Sequence, residues 1–420
     1  MSEPAQHINS LRQYTLEEAL KQASLQGSGR GASFTGMSGP VKAFFLASFL
    51  RRFKRPALAI LADDEDAEAF RDSLAFFLNE EEVFLYPSTE LLPFDEQSVH
   101  PDIRSSRLAL LHRLLDKDAL PFITVASFSS LLERVAPREA LSSAVVELKV
   151  KEEFDRERLI SRLAEIGYSR MSFVEERGEM SVRGGLLDVF PPAFAQPLRI
   201  EFFGDEIESI RLFDISSQRS LKELKDARIL PVAGALLSGQ SRYSARDALM
   251  ERAEELGMER DAWEGVSRRL MDSAPSELTD SLLPLFYKRL ATLFDYLRDD
   301  TTIAVIDPER VDSNMKEFNA TIKAAAQGLE SKKGFFVTPE SLYLGLEEAN
   351  ALIEGFPVIS MGDSGASIVC GSNLGLRQEL SIGKKTEEPL KPLADKIQAW
   401  KEEGFRVYIT AHNAGQAMRT

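Results

Sequence analysis

The sequence predicts an α/β protein with a parallel-sheet body, an inserted α+β domain and a partial C-terminal α/β domain. Three observations lead there. Before residue 142, near-continuous apolar runs alternate with helical stretches, the pattern of parallel strands covered on both faces. From 143 to 230 strand follows strand, which fits an α+β insert better than more of the same sheet. Beyond 231 the chain turns helical and then resumes the α/β rhythm.

In chain order, residues 1–14 are expected to be disordered or loosely attached. Thr15-Leu-Glu-Glu18 reads as a capping box opening a helix that ends near Gly27. A Gly-rich turn at Gly36–Pro40 leads into an apolar helix over 41–53, a strand over 57–61 and a helix over 66–78. Strands over 83–86 and 122–126 flank a helix over 102–115. In the insert, a strand over 145–150 precedes an amphipathic helix over 155–166 that Gly167 stops. Strands over 185–190 and 198–203 follow, separated by a Pro-rich connection. A further strand over 207–213 comes after Gly204-Asp205, a two-residue hairpin signal. Past Pro231 come a helix over 245–256, a Pro-interrupted helical run to Leu297, a strand over 302–306 and a helix over 311–327. Ser364–Lys385 is rich in Gly and Ser and reads as a linker, after which a helix over 392–403 and a strand over 405–410 begin another unit. The expected segments are 1–142, the insert 143–230, 231–363, a linker 364–389 and a truncated unit 390–420. The helix opening near Gln416 has little length by Thr420, so the chain is expected to be a fragment of a longer polypeptide.

Composition narrows the function. A chain of 420 residues with 44% apolar and 28% charged residues is ordinary for a soluble protein of two to four domains. No apolar run has the length of a membrane span and no signal-peptide core is present, so a cytoplasmic protein is expected. Cys370 is the sole cysteine, which excludes an internal disulfide framework, and the four histidines show no ligand-like spacing, so no metal site is expected. A net charge of −15 repels phosphate backbones, which argues against DNA binding as the main task. The best basic cluster, Arg51, Arg52, Lys54 and Arg55, sits where a helix C-terminus favours cations, so it fits a structural role at least as well as a nucleic-acid patch.

Two stretches carry candidate chemistry. Gly36-Met-Ser-Gly39-Pro-Val41-Lys42-Ala43 stands where a phosphate-binding loop belongs. Such loops need glycines so that backbone amides can wrap phosphates, a Lys for charge, and a hydroxyl for magnesium. Here Val41 takes the place of the second glycine and Ala43 that of the hydroxyl, leaving Gly36, Gly39 and Lys42 as remnants. The second stretch is Arg183–Glu206, in which Arg183, Arg199 and Phe203 surround short strands. Arg and aromatic residues dominate interface energetics, so these three fit a docking face; a solvated rim with a core Phe is the competing reading. Asp188 reads as a turn or hydrogen-bonding residue.

The second stretch is also recognisable. Glu176–Pro191 has the form E-x-G-E-x-x-x-R-G-G-x-L-D-x-F-P and is followed by RIEFFGDE and DISSQRS. It resembles the segment shared by UvrB and the transcription-repair coupling factor family (Mfd). Glu90–Leu111 (ELLPFDEQSVHPDIRSSRLALL) and Ser372–Leu376 (SNLGL) narrow the resemblance to the N-terminal region of the coupling factors.

The resemblance implies a degenerate RecA/helicase-like body made of UvrB-like domains 1A (1–142) and 1B (231–363). It also implies that the insert binds UvrA through Arg183, Arg199 and Phe203. Where UvrB and related helicases follow a strand with D-E-x-H, this chain has Asp307-Pro308-Glu309-Arg310, so Pro308 replaces the catalytic acid and only Asp307 remains. The aromatic hairpin by which UvrB clamps DNA is missing after Tyr86, and Phe94 is expected to be a core anchor. The segment is therefore expected to be a non-catalytic adaptor that uses no cofactor. DNA, RNA polymerase, ATP and magnesium would belong to a motor lying C-terminal to it. The alternative is a UvrB-type ATP-dependent DNA-remodelling enzyme with a divergent site at Lys42 and Asp307.

Overall fold

The computed structural model describes residues 13–404 and Val407, except 28–30, 38, 92–93, 95–96, 98, 117, 235–238, 274–279, 332–333, 363–367 and 371–390. The first body strands are β1 (Gln13–Tyr14), β2 (Gly31–Thr35), β3 (Ala57–Leu61), β4 (Val83–Tyr86) and β5 (Ile123–Ser127). Helices Leu16–Ser24, Pro40–Phe53, Asp64–Ala75 and Pro101–Leu115 connect them. Local chemistry sets their starts: Thr15 and Glu18 complete a capping box, the Asp63 carboxylate accepts from the Asp66 amide, and Pro101 occupies the first turn of its helix.

The insert supplies β6 (Val146–Lys149), β7 (Ser169–Arg170), β8 (Glu179–Arg183), β9 (Leu186–Val189), β10 (Leu198–Phe203), β11 (Glu206–Phe213), β12 (Ser220–Leu224) and β13 (Asp226–Ile229). Six of these form a sheet in the order β12-β11-β10-β9-β8-β7, antiparallel except for β7 with β8. Helix Arg156–Glu165 places Leu159, Ile160 and Leu163 in one core with Leu187, Leu198, Ile200 and Ile210 of the sheet. β6 pairs antiparallel with β13, so the chain enters and leaves the insert side by side.

After helices Gly239–Glu255 and Arg260–Asp272 the chain returns with β14 (Thr302–Ile306), β15 (Val358–Met361) and β16 (Ile368–Cys370). The body is one eight-stranded parallel sheet in the order β1-β16-β2-β15-β14-β3-β5-β4. Residues of β3 alternate between two cores, Ala57, Ala59 and Leu61 on one face and Leu58 and Ile60 on the other. Helices on both faces are why its sequence is apolar without a break.

The α/β body and α+β insert agree with the sequence expectation. Two particulars differ: Gln13–Tyr14, expected to be loosely attached, forms β1 beside β16, and a strand lies in the stretch read as a linker. Segments 1–142 and 231–363 contribute strands to one sheet, in which β14 pairs with β3 on one side and β15 on the other. Within the stretch read as a linker, Ile368–Cys370 forms a strand seated between β1 and β2, three apolar residues that find a buried ladder despite their Gly/Ser surroundings. Helix Lys391–Glu402 has no buried residue, and apart from Val407 the strand expected over 405–410 lies outside the described residues. Among the described residues, no helix is long and apolar enough to cross a membrane.

Candidate docking face and remnant nucleotide loop

The Gly-rich loop follows β2, with φ of +85° at Gly36 and +52° at Gly39. Its first glycine serves packing against protein: a Cβ at Gly36 would lie 2.2 Å from the Cys370 carbonyl oxygen. Lys42, buried on helix Pro40–Phe53, ion-pairs through Nζ with the Asp307 carboxylate. Asp307 has a φ of +53°, and Pro308 starts the next helix so close to Gly362 that a Cβ there would lie 3.0 Å from the proline ring. Lys42 and Asp307, the residues expected to remain of the two half-sites, thus satisfy each other. Ala43 is fully buried and offers no metal ligand. Phe94 packs edge-on against Phe336 and Tyr343, at 6.1 and 5.9 Å between ring centres, as an anchor does.

On the insert, the Gly184-Gly185 turn joins β8 to β9. Gly184 takes a φ of +58°, and Gly185 must lack a side chain because a Cβ would lie 2.8 Å from the Phe202 carbonyl oxygen. This close approach sets β10 against the turn through a 2.8 Å bond from the Phe202 amide to the Gly185 carbonyl. The resulting register puts Ser181, Asp188, Arg199 and Arg211 in one row across four strands.

Asp188, 2% exposed, is the hub of that row. Arg183 Nη2 donates to it at 2.6 Å, and Arg199 donates from Nε and Nη2 at 2.7 and 2.8 Å, one bond to each carboxylate oxygen. Arg199 Nη2 also reaches Gln218 Oε1 at 2.9 Å, Nη1 reaches the Gln218 carbonyl at 3.4 Å, and the guanidinium lies 4.3 Å from the Phe213 ring centre. Its hydrogen bonds to Asp188 raise the Arg199 pKa above its ordinary value, so the cation is permanent.

The DISSQRS string shapes the turn that delivers Gln218. The Asp214 carboxylate accepts from the Ser217 hydroxyl and amide at 2.7 and 2.8 Å, which holds its pKa down, while Gln218 takes a φ of +57°. At the other end of β10, Phe203 is 80% exposed and opens the two-residue turn, whose Gly204 has a φ of +63°. The stretch that builds this face has a known counterpart.

Residues 146–234 match the UvrB interaction domain.

The match begins at β6 and ends just past β13, so it coincides with the inserted domain. Beyond it, the chain is 29% identical to the transcription-repair-coupling factor of Myxococcus xanthus over 413 residues, covering 93% of this chain and 34% of that protein. Identity to the Haemophilus influenzae factor is 31% over 332 residues, covering 77% and 28%, and to the Escherichia coli factor 26% over 363 residues, covering 85% and 31%. The resemblance to the N-terminal region of the coupling factors is thereby upheld. The chain spans about a third or less of the length of these curated relatives.

Within the UvrB interaction domain, the residues expected to act alike are unlike. The Arg199 side chain is 16% exposed and almost fully hydrogen-bonded inside the protein, whereas that of Arg183 is 38% exposed and, among the described residues, bonds only through Nη2. The hub itself, Asp188, was legible only as a hydrogen-bonding residue. The Pro-rich connection between β9 and β10 does not fix their register, so the sequence could not place Asp188 opposite Arg199.

Proposed function

We propose that this chain is the segment of a transcription-coupled nucleotide excision repair factor that recruits UvrA to lesions, and that it does no catalysis of its own. The observation that carries this reading is Phe203, turned outward on a UvrB interaction domain at the end of the sheet that also bears Arg183. Phe203 supplies an apolar anchor. Arg183 spends one Nη2 proton on Asp188 and, among the described residues, keeps the other together with Nε and Nη1, so one guanidinium edge remains for a partner carboxylate to bind through two parallel bonds. Arg199 braces Asp188 from within. The ion pair between Lys42 and Asp307 supports a body that works without nucleotide or magnesium.

In this reading DNA translocation, displacement of stalled RNA polymerase and ATP use belong to the remaining length of the full protein, in the cytoplasm. The same remainder covers the docking face until its motor engages. Calorimetric titration of the chain with purified UvrA tests the proposal. Wild type should bind, and Phe203→Ala should bind at least about tenfold more weakly at an unchanged melting temperature. With ATP, magnesium and duplex DNA the chain should show no turnover. Absence of UvrA binding, or DNA-stimulated hydrolysis, overturns the reading.

A further inference from the structure

The loop between β7 and β8 presents a second exposed aromatic beside the docking face. Phe173 is 56% exposed, and its ring centre lies 5.0 Å from the Arg183 guanidinium; Met171 next to it is also exposed. The loop is anchored on both sides of the ring. The buried Ser181 hydroxyl donates to the Ser172 carbonyl at 2.8 Å, the Met171 amide donates to the Met180 carbonyl at 2.8 Å, and Val174 is buried. Farther on, the Glu179 carboxylate accepts from the Glu175 and Glu176 amides at 2.7 and 2.9 Å. An exposed aromatic held by so many internal bonds loses little freedom on binding, which is what makes an anchor effective.

Position and charge indicate what it meets. Arg183 stands opposite Leu186 of β9, and Leu186 opposite Glu201 of β10, two residues before Phe203. Arg183 and Phe203 are thus at the same end of the sheet, two strand spacings across and two residues along, or about 12 Å apart. Two guanidiniums share the single carboxylate of Asp188, leaving one surplus positive charge, and Arg183 is its exposed bearer. The patch is therefore a cation between two aromatics.

We infer that Phe173 is a second anchor of the docking face, and that together with Arg183 it takes up a UvrA carboxylate flanked by apolar side chains. A cation lying on an aromatic ring is less hydrated on that side, so a carboxylate bound at its free edge is held in drier surroundings. This inference rests on UvrA being the partner.

The test is the UvrA affinity of the full chain carrying Phe173→Ala, beside Phe203→Ala and Phe76→Ala. Phe76 is a comparably exposed aromatic on the body and serves as the control. Phe173→Ala should weaken binding about tenfold with the melting temperature preserved, and Phe76→Ala should leave affinity unchanged. A double-mutant cycle of Phe173→Ala with Arg183→Ala should show the two losses to be non-additive, because the side chains act as one stacked unit. If Phe203→Ala weakens binding while Phe173→Ala stays within about twofold of wild type, the second anchor is wrong and the UvrA reading stands. If wild type does not bind UvrA, both fall.

Discussion

Arg183 and Arg199 share one carboxylate, and their remaining bonds divide the labour between them. Among the described residues, the Arg199 side chain makes four hydrogen bonds to Asp188 and Gln218, whereas that of Arg183 makes one. Removing Arg199 leaves Asp188 buried with one partly exposed partner, a loss on the order of 3 kcal/mol for a broken buried pair. Removing Arg183 leaves the two-bond Arg199 contact intact and should cost less than about 1 kcal/mol, as for an exposed ion pair. Urea unfolding of Arg199→Ala and Arg183→Ala should therefore differ clearly in midpoint, with UvrA binding lost in the second despite its stability. Equal midpoints would contradict the division. Arg183→Glu is the poorer probe, since it sets a second carboxylate against Asp188.

The elements divide by how much local signal each carries. β3, β4 and β10 were legible because apolar residues fill the faces that need them. β2 was not, because Gly31-Ala-Ser-Phe-Thr35 has only Ala32 and Phe34 to bury, although it lies deep in the sheet. β16 was hidden in the same way, since only the tertiary ladder makes three apolar residues a strand. These two omissions matter together, for they are the walls of the Gly-rich loop. Sequence showed that the loop lacked its glycine and hydroxyl; only the structure shows the Cys370 backbone lying where a side chain on Gly36 would be. Gly36→Ala should accordingly destabilise the body by at least about 2 kcal/mol, through positive φ and overlap with that carbonyl, as read by thermal melting. A neutral effect would mean that β16 does not close the loop.

At the scale of the whole molecule, the insert leaves the body after β5 and returns before β14, so an open parallel sheet carries a second sheet on a paired stem of β6 and β13. Arg177 of the insert reaches Asp102 of the body at 3.1 Å, and the Tyr168 hydroxyl donates to the Leu230 carbonyl at 2.8 Å. A body whose Lys42 and Asp307 pair with each other, carrying an insert with an outward aromatic–cation face, is suited to presenting a surface. Amide hydrogen exchange of the wild-type chain with and without UvrA tests where that surface is. Exchange should slow at 171–176 and at 203–206 and stay unchanged at the Gly-rich loop and helix Pro40–Phe53. Protection confined to the body, with none between 171 and 206, would contradict docking through the insert.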